Sequence, residues 1–293
     1  MQATAKAWIQ IHICVVLWGF TAIIGKLITL SAIQLVWWRM VLVTLMLAWL
    51  PRVWRGVTAM PRRLLTAYAG IGALVAMHWL TFYGSIKLAN ASVAVTCIAL
   101  ETVFLALVEP AITRRRFEWG ELTLGIVAVP AVALVVGGTP RAMRLGIVVG
   151  VLSALFVAFF SALNKRLVGH ADALSVTAVE MAAGAVLVTV LLPFLTWTGP
   201  MVVVPEGQDL TLLLVLAVAC TLLPFALSLV ALRHLTAFGT AMAVNLEPVY
   251  AILLAIVLLG EQRELNAQFY LGVALILVLV FGYPVLARAR GAK

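Results

Sequence analysis

The sequence predicts an all-α membrane protein: ten transmembrane helices, arranged as two inverted-topology five-helix repeats around a central cavity. Three observations predict it. Of 293 residues, 65% are hydrophobic and 11% charged, a composition that belongs to polytopic membrane proteins and not to soluble domains of this length. The chain also reads as one design written twice. Cys97–Phe104 (CIALETVF) overlays Ala243–Tyr250 (AVNLEPVY), which puts Glu101 on Glu247 and Phe104 on Tyr250, and further on Glu118 falls opposite Glu264. Finally, the basic loops move between the copies. Arg114-Arg115-Arg116 is answered by Glu261-Gln262-Arg263-Glu264, and the loop holding Arg52, Arg55, Arg62 and Arg63 has a counterpart near 197–209 with no Lys or Arg. Two copies with opposed basic loops are two halves inserted in opposite orientations.

A helix rises about 1.5 Å per residue and the hydrocarbon core is about 30 Å thick, so each span needs about 20 apolar residues. On that ruler the spans fall near 8–28, 32–51, 64–88, 90–112, 118–137, 145–165, 173–195, 209–232, 237–259 and 265–287. The joins carry helix breakers: Pro51, Pro61, Gly137-Gly138-Thr139-Pro140 and Gly199-Pro200. The repeats divide the chain into residues 1–140 and 141–293. The first run, from Trp8, is too long for a signal-peptide core and is expected to be retained as a span.

Sorting the cations gives the orientation. With the N-terminus in the cytoplasm, that side receives Lys6, Arg52, Arg55, Arg62, Arg63, Arg114, Arg115, Arg116, Lys165, Arg166, Arg233, Arg288, Arg290 and Lys293. The opposite side receives Lys26, Lys87, Arg141, Arg144 and Arg263, while Arg39 stays inside a span. That asymmetry places both termini in the cytoplasm, and an odd number of spans per copy turns the second copy upside down. The net charge of +9 is therefore topological; no basic patch for nucleic acid remains. Cys14, Cys97 and Cys220 all lie in apolar runs with neither disulfide nor metal spacing. HExxH, GxSxG and phosphate-cradling glycine motifs are missing, and the two aspartates, Asp172 and Asp209, lie at span ends. No metal, no cofactor and no enzymatic activity are expected.

Ionisable groups inside spans are candidates for function because each is costly in lipid. Glu101 and Glu247 lie near the middle of spans four and nine. Each is either a carboxyl that bonds between helices or a group that couples transport or binds substrate. Asn245 and Pro248 flank Glu247, and the proline should kink span nine; Pro224 should do the same in span eight. Arg39, behind Trp37-Trp38, either snorkels to the interface or lines the cavity. Its mirror-depth counterpart is Glu180, so the two are gate candidates. His78 is an interhelical hydrogen bonder or a proton-linked group, beside the aromatic face of Trp79, Phe82 and Tyr83. Trp18 is a deep cavity candidate, and Tyr250 is another by its place opposite Phe104. Lys26 and Lys165 each close the first span of a copy as snorkelling or gating groups. Trp8, Trp49, Trp54, Trp119 and Trp197 read as interface belts.

Asn245-Leu246-Glu247-Pro248-Val249, then Leu259-Gly260-Glu261 and Gly272, together with Trp18-Gly19, Lys26 and Arg39, resemble the ten-span EamA-like branch of the drug/metabolite transporter superfamily over essentially the whole chain. The resemblance implies two inverted five-helix halves, with spans one to four and six to nine lining the cavity, in a bacterial inner membrane. It implies export of small metabolites, amino acids foremost, by alternating access. Four-span members of the superfamily use a first-span glutamate, and neither Trp8–Ile28 nor Leu145–Asn164 holds an acid, so that coupling mechanism is not carried over. Nucleotide-sugar or sugar-phosphate exchange is the alternative within transport, and a membrane-embedded enzyme or assembly subunit is the alternative outside it. The partners expected are a small-molecule substrate and the bilayer; monomer and homodimer both stay open.

Overall fold

The computed structural model describes residues 2–196, 200–244, 246–275 and 278, and among them every regular element is helical. In chain order these are α1 (Gln2–Leu27), α2 (Ala32–Ala48), α3 (Pro51–Thr58), α4 (Arg62–Leu88), α5 (Ala91–Ile98), α6 (Glu101–Thr113), α7 (Trp119–Gly137), α8 (Arg144–Leu167), α9 (Ala173–Leu195), α10 (Gly207–Ala217), α11 (Leu223–Leu232), α12 (Ala237–Val244) and α13 (Glu247–Leu254). A last helix occupies 267–275. Local chemistry sets the starts. Ser31, Asn90 and Asp172 cap α2, α5 and α9 by accepting from the backbone N–H three residues on, and Pro51 opens α3, where its missing N–H costs nothing.

Six of the described segments are long and apolar enough to cross a membrane: Ala3–Leu27, Arg62–Leu88, Ala91–Thr113, Arg141–Leu167, Ala173–Leu195 and Gly207–Leu232. The expected span at 32–51 is instead a pair, α2 and α3, bent by 95° where Pro51 interrupts the chain. The expected span at 118–137 is α7, the one at 237–259 is broken into α12 and α13, and much of the one at 265–287 lies outside the described residues. Outward-facing side chains are large and apolar, among them Phe194 and Val257. The expected belt residues Trp49, Trp54 and Trp119 are exposed; Trp197 lies outside the described residues.

Three spans are broken in mid-course. The α5/α6 break is a tight turn with Leu100 N–H donating to Cys97 C=O and Phe104 N–H to Leu100 C=O. The α12/α13 break repeats it, with Leu246 N–H donating to Ala243 C=O and Tyr250 N–H to Leu246 C=O. These are the same positions in the two copies. Between α10 and α11 the chain widens into a π turn over Val218–Leu222, because Pro224 has no N–H to give.

The ends of the bundle are tied by side chains. At one end Lys87 donates to the Ile28 carbonyl and Thr29 bonds Asp209. At the other, Lys165 donates to the Leu232 carbonyl, Tyr68 to Leu167 C=O, and Arg52 pairs with Asp172 at 2.8 Å. These ends are called the Lys87 end and the Lys165 end below.

Helices α4 and α9 touch backbone to backbone at Gly72, where a Cβ would overlap the Glu180 main chain, the small-residue packing that membrane helices favour. Gly72→Ala should therefore force the two helices apart and cost roughly 1–3 kcal/mol, the usual penalty of overpacking. Gly70→Ala, which meets nothing within 4 Å, serves as the control. Thermal denaturation in detergent checks the pair: the first midpoint drops and the second stays at the wild-type value.

Candidate functional site

A cavity of about 950 Å³ of empty space lies among α1, α2, α4, α5, α6, α8, α11, α12 and α13. Its walls are helical stripes. Helix α8 presents Val157, Phe160, Ser161 and Asn164; α11 presents Phe225, Ser228, Leu229 and Leu232; α12 presents Ala237, Thr240, Ala241 and Val244. Each set follows the three-and-four spacing of a single helix face. Trp18, Trp79, Phe82, Phe160 and Phe225 contribute aromatic faces to the lining. Four ionisable groups enter it: Arg39, His78, Glu101 and Glu247.

Arg39 does not snorkel. It is 2% exposed, and its guanidinium stacks on Trp79 with 3.7 Å from the central carbon to the ring centroid. Nη1 donates to the Tyr83 hydroxyl at 2.8 Å, Nη2 to the Cys220 carbonyl at 3.1 Å, and Nε to the Thr221 hydroxyl. The Cys220 carbonyl is the one Pro224 leaves unclaimed, four residues back. Thr221, in the same π turn, donates onward to Leu216 C=O. Trp37 and Trp38, which precede Arg39, donate to the Thr189 hydroxyl and the Val203 carbonyl, fixing α2 against α9 and the 200–206 segment. Among the described residues no carboxylate forms a salt bridge to Arg39. Its charge is held by neutral acceptors and a π face.

Glu101 and Glu247 each open the second half of a broken span, at the N-termini of α6 and α13. A carboxyl there faces the positive end of a helix dipole. Glu101 accepts from the Ser161 hydroxyl at 3.1 Å, and both side chains are buried. His78 lies against Phe160 and Phe82. Its Nδ1 is 3.1 Å from the Ser153 carbonyl and 2.8 Å from the Ser153 hydroxyl, which itself donates to the His78 carbonyl at 3.0 Å. That network is satisfied when Nδ1 carries the proton, which leaves Nε2 as the ring's acceptor.

The structure brings Trp18, Arg39, His78, Trp79, Glu101 and Glu247 into one cavity. The other expected groups lie elsewhere. Tyr83 is fully buried behind the wall and positions Arg39. Tyr250 is 41% exposed and turned outward from α13, its Cβ close to Gly19 of α1. Asn245 lies outside the described residues. Lys26 is in the last turn of α1, and Lys165 is occupied by the Leu232 carbonyl. Glu180 is fully buried between α9 and α4, with the Asn164 side chain of α8 beside its carboxyl; no residue of α9 lines the cavity. Span seven therefore departs from the expectation that spans one to four and six to nine all line it, because Gly72 draws α9 in behind α4. Ser161, Asn164, Thr221, Ser228 and Thr240 were not anticipated. For Ser161, Asn164, Ser228 and Thr240 the signal was the stripe spacing on α8, α11 and α12; Thr221 lies in the π turn before α11.

A bundle of apolar helices that keeps a few charged and polar groups in a mainly apolar cavity has the features of a membrane protein that holds a small solute. Comparison with known proteins makes this specific: the chain belongs to the EamA-like transporter family, whose sequence model matches residues 6–137 and again 144–283. No curated protein matches the chain. Among solved structures, one crystal structure covers 99% of this chain and 99% of its own, with a TM-score of 0.71 and 15% identity, a likeness of fold.

Because three acceptors hold Arg39, removing one leaves a buried charged donor unpaired. Tyr83→Phe should cost about 1–3 kcal/mol. Arg39→Lys should cost at least as much, since an ammonium cannot reproduce the planar fork. Both losses are read from detergent thermal melts, and a wild-type melt for Tyr83→Phe would show that the hydroxyl does not hold the guanidinium.

Proposed function

We propose that this protein is an alternating-access exporter of small zwitterionic metabolites such as amino acids. In this reading residues 1–140 and 141–293 are inverted five-helix repeats that together make ten spans, with both termini in the cytoplasm. The observation that carries the substrate class is the pairing of opposite charges in one cavity. Arg39 offers guanidinium N–H groups from α2, and Glu101 and Glu247 offer carboxyls from α6 and α13. A carboxylate on the solute would meet Arg39 through charge-assisted bonds, and an ammonium would meet the two acids. The aromatic walls suit a compact side chain.

Sugar-phosphate or nucleotide-sugar exchange fits less well. Phosphates call for several converging Lys or Arg groups; among the described residues Arg39 is the one Lys or Arg in the lining, and Lys165 is spent on a carbonyl. A carboxylate facing an apolar cavity needs a proton or a counter-charge, so Glu101 and Glu247 are also the coupling candidates, with His78 beside them.

Counterflow in proteoliposomes, with a mixed panel of amino acids and sugar phosphates read by mass spectrometry, tests the substrate class. Zwitterions should exchange; exchange confined to the phosphates, or none at all, would overturn it. Glu247→Gln and Glu101→Gln should lower the transport rate about tenfold or alter its pH profile, with melting temperatures near wild type. Transport unchanged across pH in both variants removes the coupling role.

A further inference from the structure

The two spans broken at matched positions, α5–α6 and α12–α13, also hold each other's ends. The first backbone donors of α12, Ala237 and Phe238, bond the carboxylate of Glu109 at 3.1 and 2.8 Å. The first donors of α5, Ala91 and Ser92, bond the carboxylate of Glu261 at 3.0 Å each, and the Ser92 hydroxyl adds a bond at 2.6 Å. Glu109 lies in the last turn of α6, and Glu261 follows the π turn Ala255–Leu259 that ends span nine. Each broken span therefore carries, at its own C-terminal end, the acid that caps the N-terminus of the other. Both acids are buried, Glu109 at 1% and Glu261 at 2% exposure.

The receiving ends match across the copies residue for residue. In the register that sets Glu101 on Glu247, Ala91-Ser92 fall on Ala237-Phe238 and Asn90 falls on Thr236. The Asn90 side chain accepts from Val93 N–H, and the Thr236 side chain accepts from Gly239 N–H. The acids do not match: Arg115 stands where the second copy has Glu261, and Arg115 bonds Glu109 at 3.4 Å. The same bridge has thus been built from two different positions.

We propose, resting on the transport reading above, that Glu109 and Glu261 are the latches of the two cavity ends and open alternately during the cycle. Each bridge joins one repeat to the other at one end only. Glu109 acts at the Lys165 end, where its partner Ala237 lines the cavity. Glu261 acts at the Lys87 end, on the helix whose Ile98 is the lining residue. A solute passing either end must part α5–α6 from α12–α13 there, which breaks that end's carboxylate bonds. Asn90 and Thr236 keep each helix start capped when its latch lets go, so release exposes few unpaired donors. These acids are positioning residues and do not touch the solute.

The test reads access to the cavity from each side of the membrane. Ser228, a lining residue, is changed to Cys, and a membrane-impermeant maleimide is applied to right-side-out and inside-out vesicles. The same protein without that change gives the background from its three buried cysteines. Glu109→Ala should raise labelling from one side roughly five- to tenfold and lower it from the other, and Glu261→Ala should do the reverse, as expected when one of two states is favoured. Glu109→Gln and Glu261→Gln, which keep one acceptor oxygen, should shift labelling the same way by less. Shifts in the same direction for both acids, or labelling unchanged while melting temperatures fall, would overturn the proposal. So would loss of folded protein in the Ala and Gln variants alike, since the acids would then be plain structural caps. Labelling requires no solute to cross, so a wild-type protein that moves no tested metabolite would sink the transport reading and leave this result standing.

Discussion

Lipid offers a peptide group no hydrogen-bond partner, and the interior of this bundle is arranged around that constraint. An unbroken helix meets it unaided. A broken one exposes donors and acceptors that another part of the chain has to answer. The π turn ahead of Pro224 has its answer in a named group, and so have the starts of the two spans that are broken before Glu101 and Glu247. Pro224 leaves the Cys220 carbonyl unpaired, and Arg39 takes it. The starts of α5 and α12 present free N–H groups, and Glu261 and Glu109 take those. Charged residues of the interior thus answer backbone groups that the helices themselves leave open.

The repeat explains which features come in pairs and which do not. Features fixed by backbone geometry recur at matched positions: the tight turns before Glu101 and Glu247, the helix starts at Ala91 and Ala237, and the left-handed residues Arg114 and Gly260. Arg114 adopts φ 58° with a Cβ where Gly260 adopts φ 69° without one, so the first copy keeps the turn at the cost of some strain. Features fixed by charge do not recur in place. The capping acid sits at 109 in one copy and 261 in the other. Arg39 of α2 has an acid, Glu180, near its counterpart in α9, and that acid is packed away from the cavity. The two halves share their shape and carry their charges at different places.

Much of this was legible in the sequence because hydropathy and breakers act locally. Apolar runs of span length located α1, α4, α8 and α9, and Pro51, Pro224 and Pro248 marked real interruptions. The pairing of Glu101 with Glu247 followed from the overlay, and the rarity of intramembrane ions singled out Arg39 and His78. The destinations of side chains were not legible. Whether Arg39 snorkels or turns inward depends on Tyr83 and on a π turn more than a hundred residues away, which no local pattern encodes. Glu109 and Glu261 read as ordinary span-end acids because their partners are backbone N–H groups, which carry no side-chain signature. Ser161, Asn164, Thr221 and Ser228 were passed over because Ser, Thr and Asn are common in membrane helices. Only a shared face on α8 and α11 sets Ser161, Asn164 and Ser228 apart.

The way Arg39 is held bears on what the cavity can select. A buried guanidinium paired with a carboxylate would present a solute with a neutral unit, and breaking that unit would cost several kcal/mol. Here the partners are a phenol, a threonine hydroxyl and a carbonyl, with Trp79 beneath. These satisfy part of the donor fork without cancelling the charge, and the guanidinium has more N–H groups than the three they occupy. The charge stays available to an incoming carboxylate, while the acids that could have neutralised it are placed on α6 and α13. Glu101 is steadied by Ser161 on α8, so it too is anchored by a neutral group. The cavity therefore keeps opposite charges apart on separate helices, and a solute carrying both would bridge them. Since α6 and α13 are the half-helices that follow the two matched mid-span breaks, such a solute would bind to the segments that the proposed latches release from each other. Binding and the change of access would then act through the same two helices.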